Sequence, residues 1–245
     1  MTPLIQIELA LAAVSFAALL FVPAPYGRHL RGRWGPTLPE RLGWILMETP
    51  SVVFFGGVFA FGTHRSDPVA LTLLGLWELH YLQRTLLFPL RMRAGGKRMP
   101  LLIPILGISF NLLNSWNNAR WISSAGYPSA WLGDPRFLSG ALLFFAGFAI
   151  NLDSDRILFS LRGPNERGYR VPHGGLYRWV SCPNYLGEML EWFGWALASW
   201  SPAGLAFALY TVANLMPRAL QNHRWYRAQF PDYPANRKAL VPFLI

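Results

Sequence analysis

Apolar residues in this chain come in long blocks, not in the strict alternation of a half-buried strand. Seven such runs are visible: Leu4 to Val22, Leu42 to Gly62, Val69 to Leu90, Leu101 to Ile122, Phe137 to Leu152, Tyr185 to Trp200 and Ala203 to Leu220. Each approaches the ~20 residues that cross a hydrocarbon core, and the fifth and sixth are short enough that their helices are expected to draw in polar flanking residues. The pattern predicts an all-α, polytopic membrane protein in which seven transmembrane helices enclose a polar cavity. No internal repeat or low-complexity segment is visible, so residues 1–245 read as one domain.

Charge tests that count independently. Basic residues collect in cytoplasmic loops, and with the N-terminus outside, 18 of the 22 Lys and Arg fall in inner loops or the tail. Arg65, Arg120 and Arg136 fall outside, and Arg84 lies within a span. The net charge of +10 therefore needs no nucleic acid to explain it, although some of these cations could hold a polyphosphate ligand at the inner face. Hydrophobic residues at 53% against 14% charged agree with the membrane reading. The first run has no basic residue before it and no small-x-small cleavage site after it, so it is expected to be a helix and not a cleaved signal.

Against this background the acidic residues inside spans stand out: Glu48, Glu78, Glu188 and Glu191. An ionisable group at membrane depth costs roughly 3 kcal/mol or more unless it faces partners or water, so several together predict a buried polar chamber. Helical spacing groups the polar residues into stripes. Asn184, Glu188, Glu191 and Trp195 share a face of the sixth span, Asn214, Arg218, Asn222 and Tyr226 a face of the seventh, and Asn111, Asn114 and Asn118 a face of the fourth. Interhelical hydrogen bonding is the competing reading, strongest for the asparagines of the fourth span. In the second span Glu48 precedes Pro50, a proline expected to kink or open the helix. In the third, Tyr81 lies among His80, Gln83 and Arg84. A buried phenol near a carboxylate is a hydrogen-bond donor suited to a carbonyl oxygen on which charge develops; an interfacial aromatic is the alternative.

The segment from Asn151 to Pro183 is the most polar, and its Gly/Pro punctuation predicts an ordered irregular loop. Aromatics interleaved with arginines there suit an adenine and its phosphates. No Gly-x-Gly-x-x-Gly follows a strand, so a Rossmann site is excluded and any nucleotide must lie among helices and loops. The single Cys182 rules out an intrachain disulfide, and the five His residues lack zinc-ligand spacing, so no metal is expected.

Several strings together resemble the steroid 5α-reductases (3-oxo-5α-steroid 4-dehydrogenases): Asn151 to Asp155, Tyr169 to Leu176, Asn184 to Glu188 with Glu191-Trp192, and the ending Asp232-Tyr-Pro with Asn236 to Phe243. Glu48 before Pro50, and Leu79-His80-Tyr81 with Arg84-Thr85, are similar to the family's steroid-side motifs. The resemblance implies a seven-helix reductase using NADPH. It implies that Asn151, Asp155, Arg162, Tyr169, Arg170, Asn184, Glu188, Arg218, Asn222 and Tyr226 contact the cofactor, mainly in residues 137–245. It implies that Glu48 and Tyr81 are catalytic, binding the ketone oxygen of a steroid or sterol-like lipid, and that Asn114, Trp192 and Glu191 border the substrate pocket, with residues 1–122 on the substrate side. Met47 stands where the family often has glutamine, an apolar residue near Leu106 where it has arginine, and Asn222 where a histidine can occur.

Rival readings follow from the same residues. One is a trans-2-enoyl-CoA reductase or an isoprenylcysteine methyltransferase; the latter would use S-adenosylmethionine, which has no phosphates for Arg162 and Arg218 to hold. The other is a sterol- or lipid-binding protein or transporter without chemistry, for which inverted repeats are expected and none is visible. Oligomeric state is not legible.

Overall fold

Proline punctuates the helix starts. A proline at the first turn costs no hydrogen bond and presets φ, and Pro3, Pro68, Pro135, Pro183 and Pro202 open α1 (Pro3–Phe21), α3 (Pro68–Leu82), α6 (Pro135–Ser160), α7 (Pro183–Ser199) and α8 (Pro202–Gln229). Side-chain caps reinforce three of these starts: Thr2 accepts from Ile5 N, Asp134 from Arg136 N and Ser201 from Gly204 N. The remaining helices are α2 (Glu40–Ala60), α4 (Phe88–Arg91) and α5 (Leu102–Ile122). The computed structural model describes residues 1–24, 34–92, 97–161 and 168–245.

Each of the seven apolar runs coincides with helix. The third is composite: α3 passes through a π-helical turn, Gln83–Leu87, into the short α4. The fifth extends past Leu152 to Ser160, taking Asp153 and Asp155 into the helix as expected for so short a run. α2 runs through Pro50 without interruption. Two short strands, β1 (Thr37–Pro39) and β2 (Arg98–Pro100), pair antiparallel and tie the segment before α2 to the segment before α5.

Among the described residues three helices, α1, α2 and α6, are long and apolar enough by themselves to cross a membrane, where seven spans were expected. The others fall short for identifiable reasons: α3 has 15 residues before its π turn, α7 has 17, and α5 and α8 carry the asparagine and arginine stripes that lower their hydropathy. The chain is a mainly helical membrane protein.

Packing differs around the bundle. α6 and α7 meet along glycines spaced seven apart on each helix, Gly140 and Gly147 against Gly187 and Gly194. A Cβ at Gly147 would stand 2.4 Å from Glu191 N and Gly187 O, and one at Gly194 2.3 Å from Phe144 N, so the two backbones touch. Elsewhere the core is aromatic. Trp77 of α3 packs on Phe55 at 4.2 Å between ring centroids, Tyr81 at 4.8 Å, Trp195 at 5.2 Å, Trp192 at 5.4 Å and Phe207 at 5.7 Å, joining α2, α3, α7 and α8. Its indole N–H donates to Ser51 O at 2.7 Å.

Candidate active site

The glycine seam sets the polar face of α6 against that of α7. Asn151 Nδ2 donates to Asn184 O at 3.1 Å and lies 3.5 Å from Glu188 Oε2. Arg84, on the π turn, reaches the same group: Nη1 stands 3.5 Å from Asp155 Oδ2 and Nη2 3.9 Å from Glu188 Oε2, while its guanidinium packs over Trp44 and Phe88. A π turn adds a residue to one helical turn and is frequent at functional sites; here it carries Arg84 toward α6 and α7.

A cavity of about 260 Å³ opens beside this cluster. Glu48, Met47 and Trp44 of α2, His80, Tyr81 and Arg84 of the third segment, Leu106, Phe110 and Asn111 of α5, Tyr185 and Glu188 of α7, and Tyr210, Asn214 and Arg218 of α8 line it. Glu48 is fixed by α5: Asn111 Nδ2 donates to Met47 O at 2.7 Å and lies 3.3 Å from Glu48 Oε2. Tyr81 is 3% exposed, its ring held between Trp77 and Trp192. In the same lining Arg218 donates to Tyr185 Oη at 3.3 Å and to Asn214 Oδ1 at 3.4 Å.

The expected site residues thus fall into groups. Glu48, Tyr81, Glu188 and Arg218 face one cavity. Asn151, Asp155 and Asn184 stand in the polar cluster behind Glu188 and Arg84. Asn222 lies a turn beyond Arg218, its amide 3.5 Å from Tyr185 Oη and 3.7 Å from Cys182 Sγ. Tyr226 and Tyr169 belong to an aromatic layer further along α8, Tyr226 stacked on Tyr233 and Tyr169 edge-on to Trp225; Arg170 is exposed. Arg162 lies outside the described residues. Trp192 and Glu191 sit behind His80 and Tyr81, off the cavity surface. Asn114 accepts from Asn118 within α5, and Asn118 accepts from Trp195 Nε1 of α7 at 2.9 Å, so Asn118 makes the interhelical bond that competed with a cavity role, while Asn111 of the same stripe faces the cavity.

Glu78 is half-buried and apart from the cavity. A fifth carboxylate, Glu8 of α1, is fully buried and accepts from Asn117 Nδ2 at 2.7 Å; it was not singled out because it is one acidic residue in an otherwise apolar run.

The C-terminal strings support the site from below. Trp179–Cys182 pairs with Lys238 and Ala239, through Lys238 N to Trp179 O at 2.8 Å and Ser181 N to Lys238 O at 2.8 Å. Ser181 Oγ lies 2.6 Å from both His223 Nδ1 and Tyr233 Oη. Arg237 donates to Pro172 O at 3.2 Å. His223 lies past the apolar run that ends at Leu220; burial, then Arg227, Arg237 and Lys238, hold its imidazole below its usual pKa, which suits it to accept the Ser181 hydroxyl proton.

The model of the 3-oxo-5-alpha-steroid 4-dehydrogenase family matches residues 97–245. The chain is 42% identical over 240 residues to steroid 5-alpha-reductase DET2 of Gossypium hirsutum, covering 96% of this chain and 93% of that protein. It is 43% identical over 234 residues to the protein of the same name from Arabidopsis thaliana, covering 92% and 89%. It is 42% identical over 247 residues to 3-oxo-5-alpha-steroid 4-dehydrogenase 1 of Bos taurus, covering 99% and 96%. Glu48 and Tyr81 precede the span matched by the family model but fall within these nearly full-length relatives. The chain belongs to the 3-oxo-5-alpha-steroid 4-dehydrogenase family of oxidoreductases.

Proposed function

We propose that the protein reduces the conjugated C=C bond of a 3-oxo-Δ4-steroid or a similar enone lipid with NADPH. The observation that carries this reading is that Glu48 and Tyr81, from separate helices, line one cavity that Glu188 and Arg218 also line. Ligand pockets commonly span about 300–1,000 Å³, so this cavity of 260 Å³ suits the reacting ends of two ligands and not two whole molecules. The relatives' names supply the steroid and the Δ4-enone.

The residues present fit a reduced dinucleotide. Arg218 offers a guanidinium for a phosphate beside Asn214 and Tyr185. Among the described residues, Thr85 Oγ1 has no hydrogen-bond partner and Asp155 Oδ2 has only the 3.5 Å ion pair with Arg84, and such buried groups suit the hydroxyl and amide donors of a bound nucleotide. When bound, NADPH supplies hydride to the enone's β-carbon. In this reading Tyr81 donates its hydroxyl proton in a hydrogen bond to the ketone oxygen, Glu48 orients that phenol, and Asn111 fixes Glu48. A preorganised donor in a water-poor cavity stabilises the charge that develops on the oxygen, typically by ~3 kcal/mol. Residues 1–122 form the substrate side and residues 137–245 mainly the cofactor side, in one domain.

All seven helical segments cross the membrane in this reading, with the N-terminus outside and the cofactor-side loops and C-terminus cytoplasmic. Large apolar side chains exposed on helices other than α1, α2 and α6 support it: Leu71 and Leu79 on α3, Ile105 and Leu112 on α5, Leu205 and Leu209 on α8. Such faces suit lipid and would be unfavourable in water.

The test is NADPH oxidation by the detergent-purified protein given a 3-oxo-Δ4-steroid, with the product identified by a gain of two hydrogens. Tyr81→Phe and Glu48→Gln are expected to lower kcat/KM by about 10²–10³-fold while NADPH still binds. Binding of NADPH without turnover of any enone steroid would reject the substrate; no NADPH binding would reject the reading, and S-adenosylmethionine binding in its place would favour the methyltransferase.

A further inference from the structure

Enone reduction needs a proton at the α-carbon as well as a hydrogen-bond donor at the oxygen, and the cavity holds a second group suited to that task. His80 is buried, lines the cavity one residue before Tyr81, and stands edge-on to the rings of Tyr81 at 4.9 Å and Trp192 at 4.6 Å. Its Nδ1 is 2.7 Å from Glu191 Oε1, across 111 residues of sequence. That bond fixes the ring's orientation and leaves Nε2 as the ring nitrogen not engaged with Glu191. Glu191 is 0% exposed and its other oxygen has no hydrogen-bond partner, so His80 is its hydrogen-bonding partner among the described residues. An isolated carboxylate in such a wall is costly; a proton carried by the neighbouring imidazole neutralises it. A proton on that imidazole would stand in the cavity wall beside Tyr81.

We infer that His80, positioned by Glu191, delivers the proton to the substrate's α-carbon; the inference rests on the enone-reductase reading above. Hydride arriving at the β-carbon leaves an enolate whose oxygen is held by Tyr81. The enolate's electron pair then forms a C–H bond at the α-carbon as the Nε2–H bond of the imidazolium breaks, and the C=O bond re-forms. The imidazole is left neutral, with Nδ1–H still donated to Glu191, and takes its next proton from water. Division of labour follows from position: Tyr81 serves the oxygen, and the preceding residue serves the carbon adjacent to the carbonyl. The charged groups around His80 are Glu188 and Glu191 from α7, Arg84 from the π turn and Glu48 from α2, with Phe148 the apolar neighbour from α6.

The competing role for the pair is a structural brace between α3 and α7, and the experiment separates the two. Reduction in D2O by the wild-type protein is expected to place deuterium on one face of the α-carbon. In His80→Gln the steroid is still reduced, kcat falls by about 10²-fold or more, and the deuterium is distributed over both faces because water becomes the donor; added imidazole restores part of the rate. Glu191→Gln, which retains a hydrogen-bonding side chain, is expected to shift the pH profile of kcat with little change in steroid KM, and it serves if His80→Gln does not fold. Retained facial selectivity and an unchanged pH profile in both variants would overturn the role of His80 and leave the reductase standing, whereas a wild-type protein that reduces no enone fails at the earlier reading.

Discussion

The two sides of the cavity are assembled by different means. α6 and α7 touch through backbone at four glycines, whereas α2, α3 and α5 meet α7 and α8 through side chains gathered round Trp77 and through flexible residues such as Met47. A backbone seam has little tolerance, so Asn151 and Asp155 are held in fixed register with Asn184 and Glu188. A side-chain wall repacks more readily. The rigid side is thus suited to a constant ligand and the softer side to a variable lipid.

Gly147 and Gly107 expose the contrast most sharply. A Cβ at Gly147 meets backbone at 2.4 Å, while one at Gly107 meets the Met47 side chain at 2.2 Å. Gly147→Ala is expected to cost about 3 kcal/mol or more, a fall in Tm of roughly 10 °C. Gly107→Ala is expected to cost about 1 kcal/mol as Met47 swings away, and because both residues line the cavity it should act mainly on steroid KM. Thermal melting of the two variants in one detergent checks the order, and equal losses would remove the distinction.

Arg84 bridges the two sides, so its loss ranks next. Arg84→Met leaves Asp155 and Glu188 without that counter-charge. Because the contacts are 3.5 and 3.9 Å, the expected loss is about 2 kcal/mol, below the 3–5 typical of a tight buried pair. NADPH affinity, read by titration, should fall with it. An unchanged affinity would mean the halves communicate by another route.

The smallest effect concerns His223. Its pKa is lowered in the folded state, so the unfolded chain binds the proton more readily, and stability is full above the usual value of 6.5 and declines as pH falls below it. His223→Gln is expected to flatten the Tm profile between pH 7 and pH 5 on the order of a degree or two. A profile as steep as that of the wild type would place the acid sensitivity elsewhere.

Much of the fold is readable along the chain because hydrophobic runs and proline starts are local properties. The seven runs became seven helical segments, and the short fifth run lengthened past Leu152 by absorbing Asp155, whose side chain faces Arg84 of the third segment and not lipid. The number of spans is less legible. A polar stripe that faces the bundle lowers the hydropathy of a buried helix such as α8 as much as exposure to water would. Lateral partners are not legible at all: nothing in the one-dimensional spacing joins Glu48 to Asn111, His80 to Glu191 or Glu8 to Asn117. One signal was present and unused, the seven-residue glycine spacing on α6 and α7, which marks two helices in backbone contact.

The central claim is that one cavity brings a reduced cofactor to an enone whose oxygen is held by Tyr81 and Glu48. The most direct measurement follows the label: the protein is given NADPH carrying deuterium at the transferable position of C4, with a 3-oxo-Δ4-steroid in ordinary water, and the product is read by NMR. The account predicts deuterium at the steroid's β-carbon and hydrogen from solvent at the α-carbon, with the label transfer lost in Tyr81→Phe. Label at the carbonyl carbon, or label lost entirely to water, would contradict it.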